Sequence, residues 1–203
     1  MPIELMKGDL FATEGLTTYA HGVDCAGEMA AGIAGQFKKR WPAMYEEYRV
    51  LCAAGRLHLG DVFPWIGDDV TIYNLAIQRH WRETAKGAAL AASLRKMVAL
   101  ASAAGITRVG LPRIAAGLGG LGWTRVRHVL DEVAEETPIT LVVFEQFVRS
   151  KAAPIGLNAL VTASRRPTRH GDCKVVEHHA RHSPLPCIRR CSAAPLSARS
   201  AGA

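Results

Sequence analysis

Two glycine-rich turns constrain this chain more than any other feature. The first runs Gly27-Glu28-Met29-Ala30-Ala31-Gly32-Ile33-Ala34, and the second Gly117-Leu118-Gly119-Gly120-Leu121-Gly122. Each follows an apolar, β-forming run and opens a helical pattern, so each reads as a strand-to-helix turn. Backbone N–H groups and a helix dipole converge at such a turn and favour an anion. Small side chains let a ligand come close to the backbone. Taken singly, either turn is a weak signal.

The rest of the pattern places them in one fold class. Ile3 to Lys7 and Thr17 to Val23 read as strands. Ile33 to Trp41 reads as a helix stopped by Pro42, and Ala43 to Cys52 as a second helix closed by Gly55. Asp61 to Trp65 and Val70 to Ile77 form a hairpin pattern around Ile66-Gly67-Asp68-Asp69. Thr84 to Ala104 predicts a long helix with Leu90, Leu94, Met97, Val98 and Ala101 on one face and Gly105 as its cap. Thr107 to Leu111 is a short buried strand, Trp123 to Glu135 a helix, and Ile139 to Phe144 a last strand. Alternation of this kind is α/β, with helices on both faces of a mixed central sheet. No internal repeat is present.

The second turn matches G-x-G-x-x-G, and Glu145 stands where a ribose-binding acid would be sought. A dinucleotide fold puts this turn after its first strand and continues with further βα units. Here one helix and one strand follow. Two anion-type turns near opposite ends of one domain point instead to one diphosphate held between them.

Composition bounds the alternatives. The chain has 203 residues, 49% hydrophobic and 21% charged, which excludes a wholly disordered or collagen-like chain. No apolar run approaches the ~20 residues of a transmembrane helix, so no membrane partner is expected. The N-terminus starts like a strand, not a signal peptide. Five cysteines without a CxxC indicate neither a disulfide framework nor a zinc ribbon. A reducing cytoplasm is the expected compartment. No HExxH, His/Cys cluster or Walker motif appears in the domain, so neither a metal nor an organic cofactor is expected.

The net charge of +7 is unevenly placed. Residues 149–203 hold ten Lys/Arg against two acids, a net +8, and residues 1–148 hold fifteen against sixteen, a net −1. The expected division is therefore a nearly neutral domain over 1–148 and a basic tail over 149–203. The tail is rich in Ser, Pro, Arg and Ala, and only Ile155 to Val161 is an apolar run. A disordered extension is the plainest reading. A shifted reading frame gives the same composition break. A nucleic-acid-binding arm would need aromatic interleaving, which is missing. Cys173, Cys187, Cys191 and the tail histidines match no zinc spacing.

Several blocks in order carry a family resemblance: Lys7-Gly8-Asp9-Leu10-Phe11, Ala20-His21-Gly22-Val23-Asp24-Cys25, Met29 to Ala34, Phe37-Lys38-Lys39-Arg40, and Leu111 to Leu118 with Trp123. Together, over roughly residues 2–146, they resemble a macrodomain. The branch is similar to that of terminal ADP-ribose protein glycohydrolase and of the DNA ADP-ribosylation antitoxin. The resemblance implies a three-layer α/β/α domain with ADP-ribose in a surface cleft. It implies that Asp9 accepts from the adenine amino group, with Leu10 among the ligand-binding positions. Asp9 read alone is a turn-forming residue. Phe144 falls where an aromatic meets adenine, or is simply core. The stretches Ala31, Gly32, Ile33, Ala34 and Gly117, Leu118, Gly119, Gly120 would wrap the diphosphate, with Ala115 beside them. Asp24 and Met29 would lie by the distal ribose.

Departures from the family bear on catalysis. Its members have glycine at the Ala115 position and commonly at Ala30. Asp24 stands where many relatives have Asn or Ser. It could orient water or act as a base, could repel the diphosphate, or could be a loop Asp bonded to nearby amides. The family's catalytic lysine and acid positions are Gln78 and Gly119 here. A glutamine amide is no nucleophile. Lys86, His80 and His21 are the other titratable groups considered, each with an ordinary structural reading. Asp24 and Gln78 are the candidate catalytic residues. The expected function is a hydrolase removing ADP-ribose from modified protein or nucleic acid, or processing an ADP-ribose ester. The alternative is a reader that binds ADP-ribose without chemistry. Nucleic acid is expected only as a modified substrate or through the basic tail.

Overall fold

The computed structural model describes residues 3–147, and the expectations for 149–203 lie outside them. Six strands form one sheet in the order β1-β6-β5-β2-β4-β3. The strands are β1 (Ile3–Gly8), β2 (Thr18–Asp24), β3 (Val62–Ile66), β4 (Thr71–Gln78), β5 (Arg108–Pro112) and β6 (Thr140–Phe147). The helices are α1 (Gly32–Arg40), α2 (Pro42–Ala53), α3 (Gly87–Ala103) and α4 (Trp123–Glu135). The five neighbours from β1 to β4 are parallel, and β3 closes the edge antiparallel as the second arm of the hairpin. The sheet is mixed, as the alternation predicts.

Period-2 alternation divides each inner strand between two cores. Tyr73, Leu75 and Ile77 of β4 face α3 and α4, packing with Leu90, Leu94, Met97, Val126 and Leu130. Ile72 and Ala76 of the same strand face α1 and α2, packing with Phe37, Met44 and Tyr48. The result is three layers, α/β/α. No helix among the described residues is long and apolar enough to cross a membrane.

Three boundaries differ clearly from expectation. The last strand, β6, runs on to Phe147 instead of ending at Phe144. Pro42 does not merely stop the first helix; it is the first residue of α2, where its missing N–H costs nothing. The long helix begins at Gly87 rather than Thr84. Ala85 N–H donates to Gly119 O and Lys86 N–H to Ile77 O, so these residues serve loop contacts before the helix starts.

His21 lies under α1. It is fully buried, its ring stacks on Phe37 at 4.0 Å and 9°, and neither ring nitrogen has a hydrogen-bond partner among the described residues. Its register partner on β4, Asn74, is also buried and leaves Oδ1 unpartnered. Burial pushes the His21 pKa down to about 4 from 6.5. The unfolded chain therefore takes up a proton that the native state refuses. Stability should fall as pH drops from 6.5 towards 4, by up to about 3 kcal/mol from this group. Urea unfolding of wild type and His21→Leu across that range checks it: the wild-type midpoint should fall more steeply, and equal slopes would contradict it.

Candidate functional site

The predicted residues gather at one edge because the strands that carry them are parallel. Asp9 follows β1, Asp24 ends β2, Gln78 ends β4, and Ala115 to Gly120 follow β5. β2 and β5 are neighbours, joined in register at Tyr19 and Gly110. The chain leaves β2 for α1 on one face and leaves β5 for α4 on the other. A crevice at such a switch point is where open α/β sheets bind ligands. The two glycine-rich turns flank it and touch: a Cβ on Gly32 would lie 3.2 Å from Leu118 Cδ1.

The first turn is shaped by Asp24, which is 3% exposed. Its Oδ1 accepts from the N–H groups of Ala26 (2.8 Å), Gly27 (2.9 Å) and Glu28 (3.2 Å), and from the Tyr48 hydroxyl (2.8 Å). The same O–H is shared with Asp24 O, also at 2.8 Å. Among the described residues every hydrogen bond of this carboxylate falls on Oδ1, leaving Oδ2 without a protein partner. Burial, followed by the adjacent Asp24 charge, pushes the Tyr48 pKa up, so its hydroxyl keeps the proton it donates. Burial also raises both nearby thiols, Cys25 and Cys52, the latter to about 11, so neither is an activated nucleophile.

Beyond Asp24 the turn opens into α1. Ala31 caps the helix with no side-chain hydrogen bond, and Gly32 sits at φ +61°. The first N–H groups of a helix have no partner within it. Ala31 and Gly32 are exposed, Ile33 and Ala34 half-buried, and Met29 is buried beneath them.

The second turn is held by its own backbone. Leu121 N–H donates to Ala115 O, and Gly120 N–H to Gly117 O. Ala115 has φ +59°, the one non-glycine residue with positive φ among those described. A methyl group in the left-handed region costs roughly 1–2 kcal/mol. Gly119 has no alternative: a Cβ there would stand 2.7 Å from Ala115 O. Gly117, Leu118 and Gly120 are exposed.

At the β1 end, Asp9 caps a 3-10 turn over Leu10–Ala12, its Oδ1 accepting from Phe11 N–H at 3.0 Å. Leu10 is buried below it. Phe144 is 5% exposed and packs in the α1/α2 core, with Cε1 4.0 Å from a Cβ placed on Gly8. At the other end Gln78 is the register partner of Asp24. Its Nε2 donates to Glu83 O, and Cys25 N–H donates to Gln78 O at 2.9 Å. Oε1 has no protein partner among the described residues. A cavity of about 480 Å³ lies between β3 and α3, lined by Leu57, Phe63, Lys96 and Leu100, and neither glycine-rich turn lines it. No group of three or more His, Cys, Asp or Glu side chains suited to a metal ion occurs among the described residues.

The Macro domain family matches residues 20–130, which include both turns and both candidate catalytic residues. The chain belongs to the macrodomain family. It is 31% identical over 136 residues to the DNA ADP-ribosyl glycohydrolase of Mycobacterium tuberculosis, covering 65% of this chain and 38% of that protein. The chain thus spans well under half the length of that relative. It is 31% identical over 142 residues to human ADP-ribose glycohydrolase OARD1, covering 70% of this chain and 90% of that protein. Among solved structures, the macrodomain of Mycobacterium tuberculosis DarG superposes with a TM-score of 0.66 at 29% identity, covering 70% of this chain and 96% of that one.

Sequence reasoning did not single out Tyr48. It lies 24 residues from Asp24, and no spacing links them; the usable signal was a tyrosine on the apolar face of α2, which needs a buried partner. Asp24→Ala leaves three loop amides and that hydroxyl without their acceptor and should cost about 2–4 kcal/mol. Ala115→Gly should be neutral or stabilising by up to about 1 kcal/mol. Urea denaturation of the two variants measures both, and an Asp24→Ala change under about 0.5 kcal/mol would contradict the anchor role.

Proposed function

We propose that the chain binds ADP-ribose across the C-terminal edge of its sheet and uses water to cleave the bond between the distal ribose and a carrier macromolecule. The observation that carries this reading is the meeting of two small-residue turns at the switch point, each opening a helix without a side-chain cap. The domain is close to neutral, so oriented amides rather than net charge must attract a diphosphate. From β1 to β4 the edge spans four strand spacings, about 19 Å, which accommodates a nucleoside, a diphosphate and a second ribose laid end to end. Asp9 would take the adenine amino group. The amides of Gly32 to Ala34 and Gly117 to Gly119 would take the diphosphate. The distal ribose would then lie over β2 and β4, beside Asp24 and Gln78. The names of the relatives, DNA ADP-ribosyl glycohydrolase and ADP-ribose glycohydrolase, support the same ligand.

The chemistry follows from what these two side chains leave open. Gln78 supplies no nucleophile, so the attacking group is water. Asp24 Oδ2 and Gln78 Oε1 are acceptors on adjacent strands, each without a protein partner among the described residues. They would orient a water toward the anomeric carbon. Water adds there, and the carrier leaves with the bonding electron pair and gains a proton. Asp24 acts chiefly by holding the first turn in shape. The free cysteines among the described residues, Cys25 and Cys52, fit a reducing compartment, the cytoplasm.

A second reading, a reader without chemistry, is favoured by Gln78 and Gly119 standing where the family resemblance puts a lysine and an acid. Release of free ADP-ribose from glutamate-linked mono-ADP-ribosylated protein separates the two. Wild type should release it. Gln78→Ala should lose at least about tenfold in rate, the order expected for one positioning contact, and keep its affinity for free ADP-ribose. Binding without release by wild type, from this substrate and from an ADP-ribosylated oligodeoxynucleotide alike, would contradict the hydrolase and leave the reader; release from the oligonucleotide alone would leave an enzyme for that linkage. In the same titrations Asp9→Ala should weaken ADP-ribose binding about tenfold, equivalent to one hydrogen bond to a charged acceptor. An unchanged affinity would remove Asp9 from the adenine site.

A further inference from the structure

The groove between β3 and α3 has no part in that reading. Its walls are Leu51, Leu57, Val62, Phe63 and Leu100, with the exposed Pro64 at its lip. Six large hydrophobic side chains stay exposed among the described residues, and three stand on the elements that bound this groove. They are Val50 on α2 (68% exposed), Ile66 at the end of β3 (78%) and Leu100 on α3 (42%). Glu47, one turn before Val50, accepts from Trp65 Nε1 at 2.9 Å, which holds that face of α2 against β3. A single exposed apolar residue is ordinary; several gathered round one groove mark a contact surface.

We propose that this edge is the interface of a two-fold homodimer, in which Arg56 of each copy meets the Asp68-Asp69 turn of the other. Charge selects the occupant. At the start of β3 Lys96 is already engaged by Asp61 at 2.7 Å, whereas the exposed Arg56 has no acidic partner among the described residues. Past the other end of β3, the exposed Asp68 and Asp69 have no cationic partner among the described residues. About 17 Å of strand separates the two ends, with Pro64 between them. One copy therefore carries both halves of its own complement. A two-fold axis at Pro64 runs the two β3 strands antiparallel and sets each Arg56 against an acid pair, as an isologous contact requires. Parallel apposition would set like charge against like.

The backbone decides how the copies touch. Gly67 N–H donates to Val70 O at 2.8 Å and Ala76 N–H to Asp61 O at 3.0 Å, so the odd-numbered residues of β3 turn their backbone groups towards β4. Val62, Pro64 and Ile66 turn theirs outward, and Pro64 has no N–H to give. An added strand would lose its central hydrogen bond and meet the proline ring, so sheet extension is blocked. The contact is therefore made by side chains: the apolar residues at its centre and the charges at its ends. The size is sufficient. Three layers of about 10 Å and the ~25 Å length of α3 give a face of roughly 750 Å², close to the ~800 Å² per partner of a standard interface. Both clefts stay accessible, because antiparallel β3 strands send the two C-terminal sheet edges to opposite ends of the dimer.

Sedimentation of the full chain tests this, at concentrations up to about 100 μM, where a dimer with a Kd of ~10 μM is mostly associated. Wild type should sediment with the mass of two chains. Ile66→Asp should weaken association at least about tenfold, the order for a charge buried in an apolar contact. Arg56→Glu alone and Asp68→Lys/Asp69→Lys alone should each weaken it similarly, because both ends of the interface then oppose like charges. An equimolar mixture of these two charge variants should associate again, since each end then pairs opposite charges. Circular dichroism should show all variants folded, as every changed residue is exposed. A wild type that stays monomeric throughout overturns the proposal. So does a dimer indifferent to Ile66→Asp, which places the contact elsewhere, or a mixture that fails to recover, which contradicts the two-fold pairing.

Discussion

The carboxylate of Asp24 organises the first glycine-rich turn of this protein. One oxygen, Oδ1, collects three successive loop amides and the hydroxyl of Tyr48 from α2. That convergence folds the chain sharply out of β2. It also couples the turn to the α1/α2 layer, because Tyr48 is buried in that core. Without the anchor, the amides that would meet a diphosphate would have no fixed direction. An acid at this position is therefore compatible with an anionic ligand: its charge is spent on protein donors, and the helix terminus beyond it stays open.

The second turn solves the opposite problem. It carries no side-chain anchor and depends on backbone geometry alone. Gly119 is compulsory because the Ala115 carbonyl occupies the space of a Cβ, and Ala115 accepts a left-handed conformation to present that carbonyl. Strain of this kind persists where surrounding structure over-determines it. Here the Leu121 N–H on Ala115 O and the Ala85 N–H on Gly119 O supply that constraint. The loops after β4 and β5 consequently form one connected rim, with Gln78 and Trp81 on one side and the glycines on the other.

Much of this was legible in the sequence. Hydrophobic period and punctuation located every strand and α-helix among the described residues, because Gly55, Gly105 and the Asp68-Asp69 turn mark chain reversals that local chemistry dictates. The α/β class and both glycine-rich turns followed from the same signals. The start of α3 did not, since Thr84 to Lys86 have helical composition but spend their backbone donors on Ile77 and Gly119, which is a tertiary fact. The Tyr48–Asp24 bond and the packing of His80, Trp81 and Arg82 into one cluster were equally hidden. The first joins residues far apart in sequence, and the second depends on rotamers that spacing does not encode. Asp24 itself was visible as an alternative between base and loop anchor, and its hydrogen bonds match the anchor.

The central claim is that ADP-ribose lies along the C-terminal edge between the two turns. Titration of free ADP-ribose into the isotope-labelled protein, followed by amide NMR, tests it most directly. The account predicts that the largest shifts fall on Gly32 to Ala34 and Gly117 to Gly119, with a second group at Asp9 and Leu10. Shifts centred instead on the cavity around Leu57, Phe63 and Lys96, or no shifts at saturating ligand, would contradict it.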